Sequence, residues 1–454
     1  MKNYIIIIIL LTYFAFCSGC KKYLEYKSDA RLVTPRTLKD IQGILDDGEK
    51  MNLRNTPSLG ESSADDFFML PASLSAQPLT NQQVYQWAPF DIRYGNDWNL
   101  GYQAIYNANL SLELLENIER TTANAQGWDN VKGSALFFRS FHFLNLVTQY
   151  AKIFDERTAG VDLGIVLRTF SDFNIPSTRS TVLDAYSRII ADLTTSITLL
   201  PNYPQSKVRP SKGAAHALLA RTYLFMGNYT QARNAVNEAL KINSALMDYN
   251  ADPSIGPFSA TSYVQRLNTE TIFYAEQGLE IVNHGTSRSR IDSVLVSSYA
   301  AADLRKNVFF NMISGYAQFR GNYTGNTNVF FSGIATDELY LIRAECNAYL
   351  GEIASAMTDV NDLLRKRWNK AIAFVPVSAA SQKEALSKVR LERRKELLMR
   401  GLRWVDLKRY NREGENITIF RNIGGKLISL PPNDPRYALP IPVDVIEQSG
   451  IPQN

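Results

Sequence analysis

The 454-residue chain has few of the residues from which catalytic and metal sites are usually built. It contains three histidines and three cysteines, and outside CSGC at residues 17–20 it lacks the HExxH, CxxC, GxSxG and phosphate-loop patterns. His142 and His216 fall within helical patterns, where a hydrogen-bonded core histidine is the usual interpretation, and His284 falls in a loop without a neighbouring carboxylate or cysteine. We therefore expect no metal site, no cofactor and no enzymatic activity.

Long hydrophobic runs are also scarce. The longest is the thirteen-residue run from Tyr4 to Phe16, which follows the basic Lys2 and precedes small residues ending at Cys20. A bilayer span needs about 20 apolar residues, so this run is too short for a transmembrane helix and is typical of a secretory signal. We predict a lipoprotein signal peptide at residues 1–19, cleaved before an acylated Cys20.

Cysteines are too few for a disulfide framework. With residues 1–19 removed and Cys20 acylated, Cys346 has no cysteine to pair with. The exported chain must then rely on its hydrophobic core, for which it is long enough. Cys346 lies in a helical pattern, so we expect it to be a buried small hydrophobic residue.

Charge is nearly balanced over the whole chain but not locally. The net charge is +5, and losing Lys2 with the signal peptide lowers it to +4, too little to indicate a nucleic-acid partner. Residues 391–412, called the basic segment below, nevertheless combine eight Lys or Arg with three Asp or Glu. Such a segment could bind nucleic acid, lie on an anionic membrane, or stabilise the fold.

Spacing within the basic segment favours the structural role. Glu392 with Lys395, and Glu396 with Arg400, stand three and four residues apart, where helical side chains can pair. Gly401 is expected to break the helix before a second short one. The residues predicted to carry this structural signature are Arg393, Glu396, Gly401, Trp404 and Asp406.

Helical periodicity dominates the rest of the chain and includes a repeat. Ala220, Gly227, Ala232 and Val236 stand at relative positions 0, 7, 12 and 16, and Ala344, Gly351, Ala356 and Val360 repeat these offsets. Small residues at a helix crossing and glycine in the turn are typical of the tetratricopeptide helix–turn–helix. The two units are 124 residues apart, which excludes an uninterrupted solenoid. We predict a mainly α fold, a tetratricopeptide-like scaffold with a large loop-rich, irregular half.

No Gly/Ser-rich or Pro-rich linker divides the chain, so residues 20–454 are predicted to form a single domain. The helical scaffold is assigned to about 20–50, 98–247 and 336–412. Loop-rich, ligand-facing insertions are assigned to about 51–97 and 248–335, because these stretches are rich in Asn, Ser, Gly, Pro and aromatic residues.

Aromatic residues crowd two of these loops and suggest a binding surface. Sugar rings stack their apolar faces on aromatic planes, while Asn, Asp and Arg side chains hydrogen-bond the hydroxyl groups. A core beneath long loops would show similar aromatics, and Trp98 also fits a helix start that packs inward. The ligand-binding candidates are Trp87, Tyr94, Trp98, Asp65, Tyr316, Phe319 and Tyr323.

Several segments resemble the SusD/RagB family of surface nutrient-binding lipoproteins of Bacteroidetes, over essentially the whole chain from Cys20. The most specific are the end of the chain and residues 390–409. The segments that carry the resemblance are CKKYLE, WNLGYQAIYNAN, KGSALFFRSFHFLNLV, the two helical pairs, RLERRKELLMRGLRWVDLKR, and RYALPIPVDVI with IPQN.

The resemblance implies a tetratricopeptide-like, non-catalytic lipoprotein that is anchored in the outer membrane and faces the cell exterior. Its expected position is that of a lid over the mouth of a partner barrel. The implied partner is a SusC-like, TonB-dependent outer-membrane barrel, and the usual ligand is an oligosaccharide. Three alternatives stay open: a peptide-capture protein using Arg288 and Arg290, a glycan-processing enzyme using Asp65 and Asp66, and a structural helical-repeat adaptor. The glycan's identity, linkage and length are not encoded in any recognisable pattern.

Overall fold

The computed structural model describes residues 35–259 and 262–454. The predicted signal peptide and the predicted lipidation site at Cys20 lie outside the described residues. The described part is 47% helical, with 17 helices and only short strands, which confirms the predicted mainly α class. No helix in this part is both long and apolar enough to cross a membrane.

The helices range from one turn to seven turns. In chain order they are α1 (Leu38–Leu45), α2 (Gly48–Met51), α3 (Leu59–Ser63), α4 (Pro71–Ser75), α5 (Leu79–Tyr85), α6 (Asp97–Leu115), α7 (Ala125–Tyr150), α8 (Val182–Leu199), α9 (Lys212–Met226), α10 (Tyr229–Ile242), α11 (Ser293–Ser297), α12 (Arg305–Phe309), α13 (Thr336–Tyr349), α14 (Ile353–Arg367), α15 (Gln382–Glu396), α16 (Arg403–Arg412) and α17 (Val443–Ser449).

The strands are two to five residues long and pair antiparallel, two by two. They are β1 (Phe67–Met69), β2 (Leu163–Val166), β3 (Arg179–Thr181), β4 (Ile255–Ser259), β5 (Ser262–Val264), β6 (Thr271–Phe273), β7 (Ser289–Ile291), β8 (Phe310–Ile313), β9 (Tyr316–Phe319), β10 (Ile334–Ala335), β11 (Ile419–Ile423) and β12 (Lys426–Leu430). The pairs are β1–β7, β2–β3, β4–β5, β6–β10, β8–β9 and β11–β12.

Local sequence accounts for the long helices. α7 is apolar nearly all round and is buried along most of its length, so it forms the centre of the bundle. α8 begins with a capping box, in which the Thr181 hydroxyl accepts from the Asp184 N–H and the Asp184 carboxylate accepts from the Thr181 N–H. It ends at Leu199, two residues before Pro201, because proline cannot continue a helix.

The two repeat units form the helix pairs α9–α10 and α13–α14. The small residues of both units are fully buried where the helices cross. Gly227 and Gly351 have φ values of 79° and 83° in the two turns, a left-handed conformation that favours glycine. α10 packs against α13, and the rings of Tyr229 and Tyr349 stack with centroids 3.8 Å apart. The pairs are therefore neighbours in space despite their separation in sequence.

The remaining scaffold helices extend this array. α6 packs on α7, α7 on α8 and α8 on α9, and α15 packs on α13 and α14. A large apolar core lies between these helices, and a second apolar cluster lies beneath the strands and short helices of the irregular half. The irregular half is thus supported by its own core and carried on a helical array.

The basic segment spans the end of α15 and all of α16, with a turn around Gly401, which has a φ of 75°. The predicted pair of Glu392 with Lys395 forms, with 2.7 Å between Oε1 and Nζ. The predicted pair of Glu396 with Arg400 is wrong. Because α15 ends at Glu396, Arg400 is no longer one helical turn away, and each side chain pairs with a residue from another element.

Candidate functional site

The side chains of the basic segment point into the fold rather than to a ligand surface. Arg393 is fully buried and donates from Nε to Asp406 at 2.9 Å. Arg409 donates from both Nη atoms to the Glu345 carboxylate at 2.7 Å, and these contacts hold the pKa of Glu345 near 2 against the effect of burial. Trp404 is fully buried, and its Nε1 donates to a backbone carbonyl of the C-terminal tail.

Asp65 is held by the same segment. The Arg403 guanidinium donates to both Asp65 oxygens at 2.7 and 3.0 Å, and the neighbouring Asp66 accepts from Arg394 at 2.7 Å. Burial raises the pKa of Asp65, but Arg403 and Arg394 outweigh burial and lower it overall, whereas burial raises the pKa of Asp66. Both carboxylates are engaged by guanidinium groups, which favours a structural role over ligand contact.

Two of the aromatic residues predicted to contact a ligand, Trp98 and Phe319, belong to the core. Trp98 is 4% exposed and packs its ring on Tyr102 and Tyr150, because it lies in the first turn of α6 and its side chain faces the core. Phe319 is 6% exposed and stacks on Phe330. Residues distant in sequence cover both faces of these rings, so the rings cannot stack on a ligand.

Tyr323 is equally enclosed, at 1% exposure. Its hydroxyl lies 3.2 Å from Asp337 and donates to Glu270, and the Arg400 guanidinium lies over its ring. Tyr323 is therefore a member of a buried ion-pair network, not of a surface.

That network contains the one group of carboxylates in the described residues whose oxygens are close enough to share a metal ion. Glu270, Asp337 and Glu396 place oxygen atoms within 4.8 Å of one another. Guanidinium groups already contact all three: Arg367 lies 2.7 Å from Glu270 and from Glu396, and Arg400 lies 2.6 Å from Asp337. Ion pairing thus accounts for the cluster.

The histidine left in a loop, His284, is buried as well. Its Nδ1 lies 2.9 Å from the Ser62 hydroxyl, and its ring packs on Phe330. Burial lowers the pKa of His284 to about 3, so the ring is neutral. At 1% exposure the Ser62–His284 pair has no access for a substrate, and it acts as a core contact.

Trp87 lines a groove of about 680 Å³ between α5, the loop after it and the C-terminal tail. Phe90, Asp91 and Arg436 also line this groove. The indole itself is 5% exposed, and its Nε1 donates to the Ser63 carbonyl at 2.9 Å. Trp87 therefore contributes a ring edge to the groove rather than a stacking face.

Tyr94 and Tyr316 are the predicted aromatic residues that reach solvent. Tyr94 is 85% exposed on the loop before α6. Tyr316 is 39% exposed, and its ring meets that of Phe68 edge to face, with centroids 5.4 Å apart. Tyr316 and Phe68 thus form an aromatic pair at the surface.

Strand alternation explains why this pair faces outward. Along β1, Phe67 and Met69 are buried, so Phe68 points to the opposite face, and its cross-strand partner is Arg290 on β7. Along β9, Ala317 and Phe319 are buried, and the half-buried Gln318 shares the outer face. We call Phe68, Arg290, Tyr316 and Gln318 the aromatic platform. It combines ring faces with guanidinium and amide groups, the chemistry that binds a sugar ring and its polar substituents.

Arg421, on β11, positions the backbone beneath the platform and the groove. Its guanidinium donates to the Phe67, Tyr85 and Ala64 carbonyls and lies over the rings of Phe67, Tyr85 and Trp87. Burial lowers its pKa, and it has no ion-pair partner among the described residues. Neither Arg421 nor Phe68 was identified from the sequence patterns. The one signal that could have identified Phe68 is the pair Phe67–Phe68, since neighbouring residues of a strand point to opposite faces.

The fold defines a helical-repeat protein that carries a loop-rich half. Two family models match consecutive parts of the chain: one described as "Starch-binding associating with outer membrane" matches residues 22–224, and one described as "SusD family" matches residues 224–449. The chain belongs to the SusD family. No curated protein matches the chain.

Solved structures with the same fold cover nearly all of the chain. A candidate sugar-binding protein from Bacteroides vulgatus is 21% identical, with a TM-score of 0.75 over 93% of this chain and 99% of that one. A SusD superfamily protein from Bacteroides thetaiotaomicron is 21% identical, with a TM-score of 0.74 over 92% and 99%. A SusD-like carbohydrate binding protein from Bacteroides vulgatus is 19% identical, with a TM-score of 0.67 over 91% and 96%. At these identities the likeness concerns the fold.

Proposed function

We propose that this protein is a non-catalytic lipoprotein of the outer membrane that captures oligosaccharides. The observation that carries the proposal is the surface pair of the half-buried Phe68 and the exposed Tyr316, flanked by Arg290 and Gln318. The family description and the relatives described as carbohydrate binding support it. In this proposal a sugar ring stacks on the pair, and the polar side chains hydrogen-bond its substituents.

The proposal includes an anchor and a partner. Residues 1–19 act as a signal peptide, Cys20 carries the lipid, and residues 20–454 form a single domain at the cell exterior. A SusC-like, TonB-dependent barrel receives the captured ligand. Replacing Cys20→Ala is expected to release the protein from the membrane fraction, and affinity purification of the native protein is expected to recover the barrel.

Calorimetric titration of the mature protein with a panel of oligosaccharides tests ligand capture. Tyr316→Ala and Phe68→Ala are each expected to weaken binding by about tenfold, about 1.4 kcal/mol, because each removes one face of the pair. Phe173→Ala is the matched control, since Phe173 is 80% exposed on a scaffold loop. The proposal fails if no oligosaccharide binds, or if the two platform variants bind as tightly as the control.

A further inference from the structure

Arg290 differs from most buried or half-buried arginines of this protein, because no carboxylate among the described residues pairs with it. Its Nη1 donates to the Ser289 carbonyl at 2.7 Å, and its Nε is buried without a hydrogen-bond partner in the described part of the chain. A guanidinium presents five donors in a fixed fork that matches a carboxylate or sulfate. Nε is enclosed, but the remaining Nη hydrogens of Arg290 have no partner in the described part of the chain, and they lie on a surface that already offers aromatic rings.

The acidic residues nearest to the platform are not available to Arg290. Asp65, Asp66 and Asp292 are all within 3.3 Å of Arg394, and Arg403 also contacts Asp65. Arg421 lies beside the same three acids, so three guanidinium groups balance three carboxylates.

Glu61 adds no charge to this neighbourhood. It is buried and forms no ion pair among the described residues, and burial together with the nearby Asp66 raises its pKa to about 8. At neutral pH it is therefore mainly protonated. The charge of Arg290 is thus left without a counter-charge from residues 35–259 and 262–454.

Arg288 adds a second cation close by. It is exposed, it donates from Nη1 to the Val282 carbonyl at 3.3 Å, and it forms no ion pair in the part of the chain that the structure describes. The four strands around the platform, β1, β7, β8 and β9, contain no Asp or Glu, and Arg290 is their one charged residue. The surface is thus aromatic and positively charged.

We infer that the preferred ligand of the platform is an acidic oligosaccharide, whose carboxylate or sulfate group is held by Arg290 while its ring stacks on Phe68 and Tyr316. This inference rests on the proposed function and narrows its substrate class. Arg290 forms the direct contact, and Arg288 attracts the anion from solvent. An uncharged sugar leaves both cations without a partner.

The experiment compares acidic oligosaccharides with their neutral counterparts by calorimetry. The probes are oligogalacturonates, glucuronate-containing oligosaccharides and sulfated oligosaccharides, each beside its carboxyl-reduced or desulfated form, and a hexaglutamate peptide. An acidic form is expected to bind at least about tenfold more tightly than its neutral form, because charged hydrogen bonds are the stronger ones. Raising the salt concentration is expected to reduce this preference.

Variants assign the preference to Arg290. Arg290→Gln is expected to abolish the preference for the acidic form, and Arg290→Lys to restore part of it, because lysine keeps the charge but not the fork. Arg288→Gln is expected to weaken acidic binding by about threefold, since exposed charges contribute less. Arg188→Gln on α8 is the matched control, with a side chain that is 44% exposed.

The outcomes separate this inference from the proposed function. If neutral forms bind as tightly as acidic forms, or if Arg290→Gln keeps the preference, the inference is wrong and carbohydrate capture stands. If hexaglutamate binds through Arg290 and no oligosaccharide does, the inference and carbohydrate capture both fail, and peptide capture replaces them. If none of the probes binds, both fail as well.

Discussion

The arginines of the basic segment differ from those on and beside the aromatic platform in what they contact. Arg393, Arg409 and their neighbours are buried and paired with carboxylates of other elements. Arg288 and Arg290 lie at the surface of the irregular half and have no carboxylate partner among the described residues. One chemical group therefore stabilises the fold in one region and is available to a ligand in the other.

The comparison also shows that local charge density does not identify a binding surface. The segment from 391 to 412 is the more basic of the two regions, yet most of its cations are paired with carboxylates inside the fold. The platform has a single arginine on its strands, but that arginine has no carboxylate partner in the part of the chain that the structure describes. Pairing, which depends on residues far away in sequence, decides between the two roles.

The largest expected effect is on stability and follows the loss of a paired arginine. Arg409→Ala leaves the fully buried Glu345 carboxylate without its bidentate partner. Breaking a buried ion pair typically costs about 3–5 kcal/mol, because one charge remains buried. Urea unfolding is expected to show a loss of this size.

Arg365→Ala is the matched control for that measurement. Arg365 also pairs with an acid, Asp362, but its side chain is 52% exposed. A surface pair is worth about 0–1 kcal/mol, so this variant should unfold close to the unchanged protein. Equal losses for the two variants would contradict the difference between buried and surface arginines.

Arg421→Met tests an arginine that is buried but contacts carbonyls instead of carboxylates. Methionine fills similar space, but the carbonyls of Ala64, Phe67 and Tyr85 lose their donor. An unsatisfied buried acceptor costs about 1–3 kcal/mol, so we expect a loss of about 2–3 kcal/mol in urea unfolding. Oligosaccharide binding should also weaken, because the backbone under the platform is no longer held; unchanged binding would rule out this positioning role.

Glu61 provides the corresponding test for an acid without an arginine partner. Its Oε2 accepts from the Gly401 N–H at 2.8 Å, and its Oε1 is buried without a partner. Its folded pKa of about 8 lies above the ordinary value of 4.5, so the folded state binds the proton more tightly. The stabilisation that comes from this tighter proton binding is fully present below pH 4.5. It is lost as the pH rises from 4.5 to about 8.

Glu61→Gln is expected to remove that pH dependence. The stability of the variant relative to the unchanged protein should rise by about 2 kcal/mol between about pH 5 and about pH 7. The difference between the two proteins is the quantity to measure, since burial also raises the pKa of Asp97 to about 6 and of Glu270 to about 7. Parallel pH profiles would mean that Glu61 is ionised in the folded state.

The fold was largely predictable because its signals are local. Helical periodicity, capping residues and glycine in the turns are set by neighbours within a few positions, so the two repeat units could be found in the sequence. The packing of the two units against each other could not be predicted. Nothing in the sequence near Ala220 or Ala344 indicates that the intervening residues bring the second unit back beside the first.

The site was less predictable because exposure depends on distant partners. Trp98 and Tyr323 occur in the same aromatic stretches as Tyr94 and Tyr316, yet the first two are enclosed by residues from other elements. Phe68 faces outward because its strand pairs with one more than 200 positions later in the chain. Sequence composition predicted the regions of the surface but not which side chains reach it.

The smallest expected effect is that of Arg290→Gln on stability. No carboxylate among the described residues pairs with Arg290, so its removal leaves no carboxylate without a counter-charge. The substitution also removes Nε, a buried donor without a hydrogen-bond partner in the described part of the chain. Substitutions of this kind usually change the unfolding free energy by less than about 0.5 kcal/mol. Urea unfolding should therefore distinguish Arg290→Gln from Arg409→Ala clearly. A loss of several kcal/mol for Arg290→Gln would mean that Arg290 stabilises the fold like the arginines of the basic segment, and the division between the two groups would no longer hold.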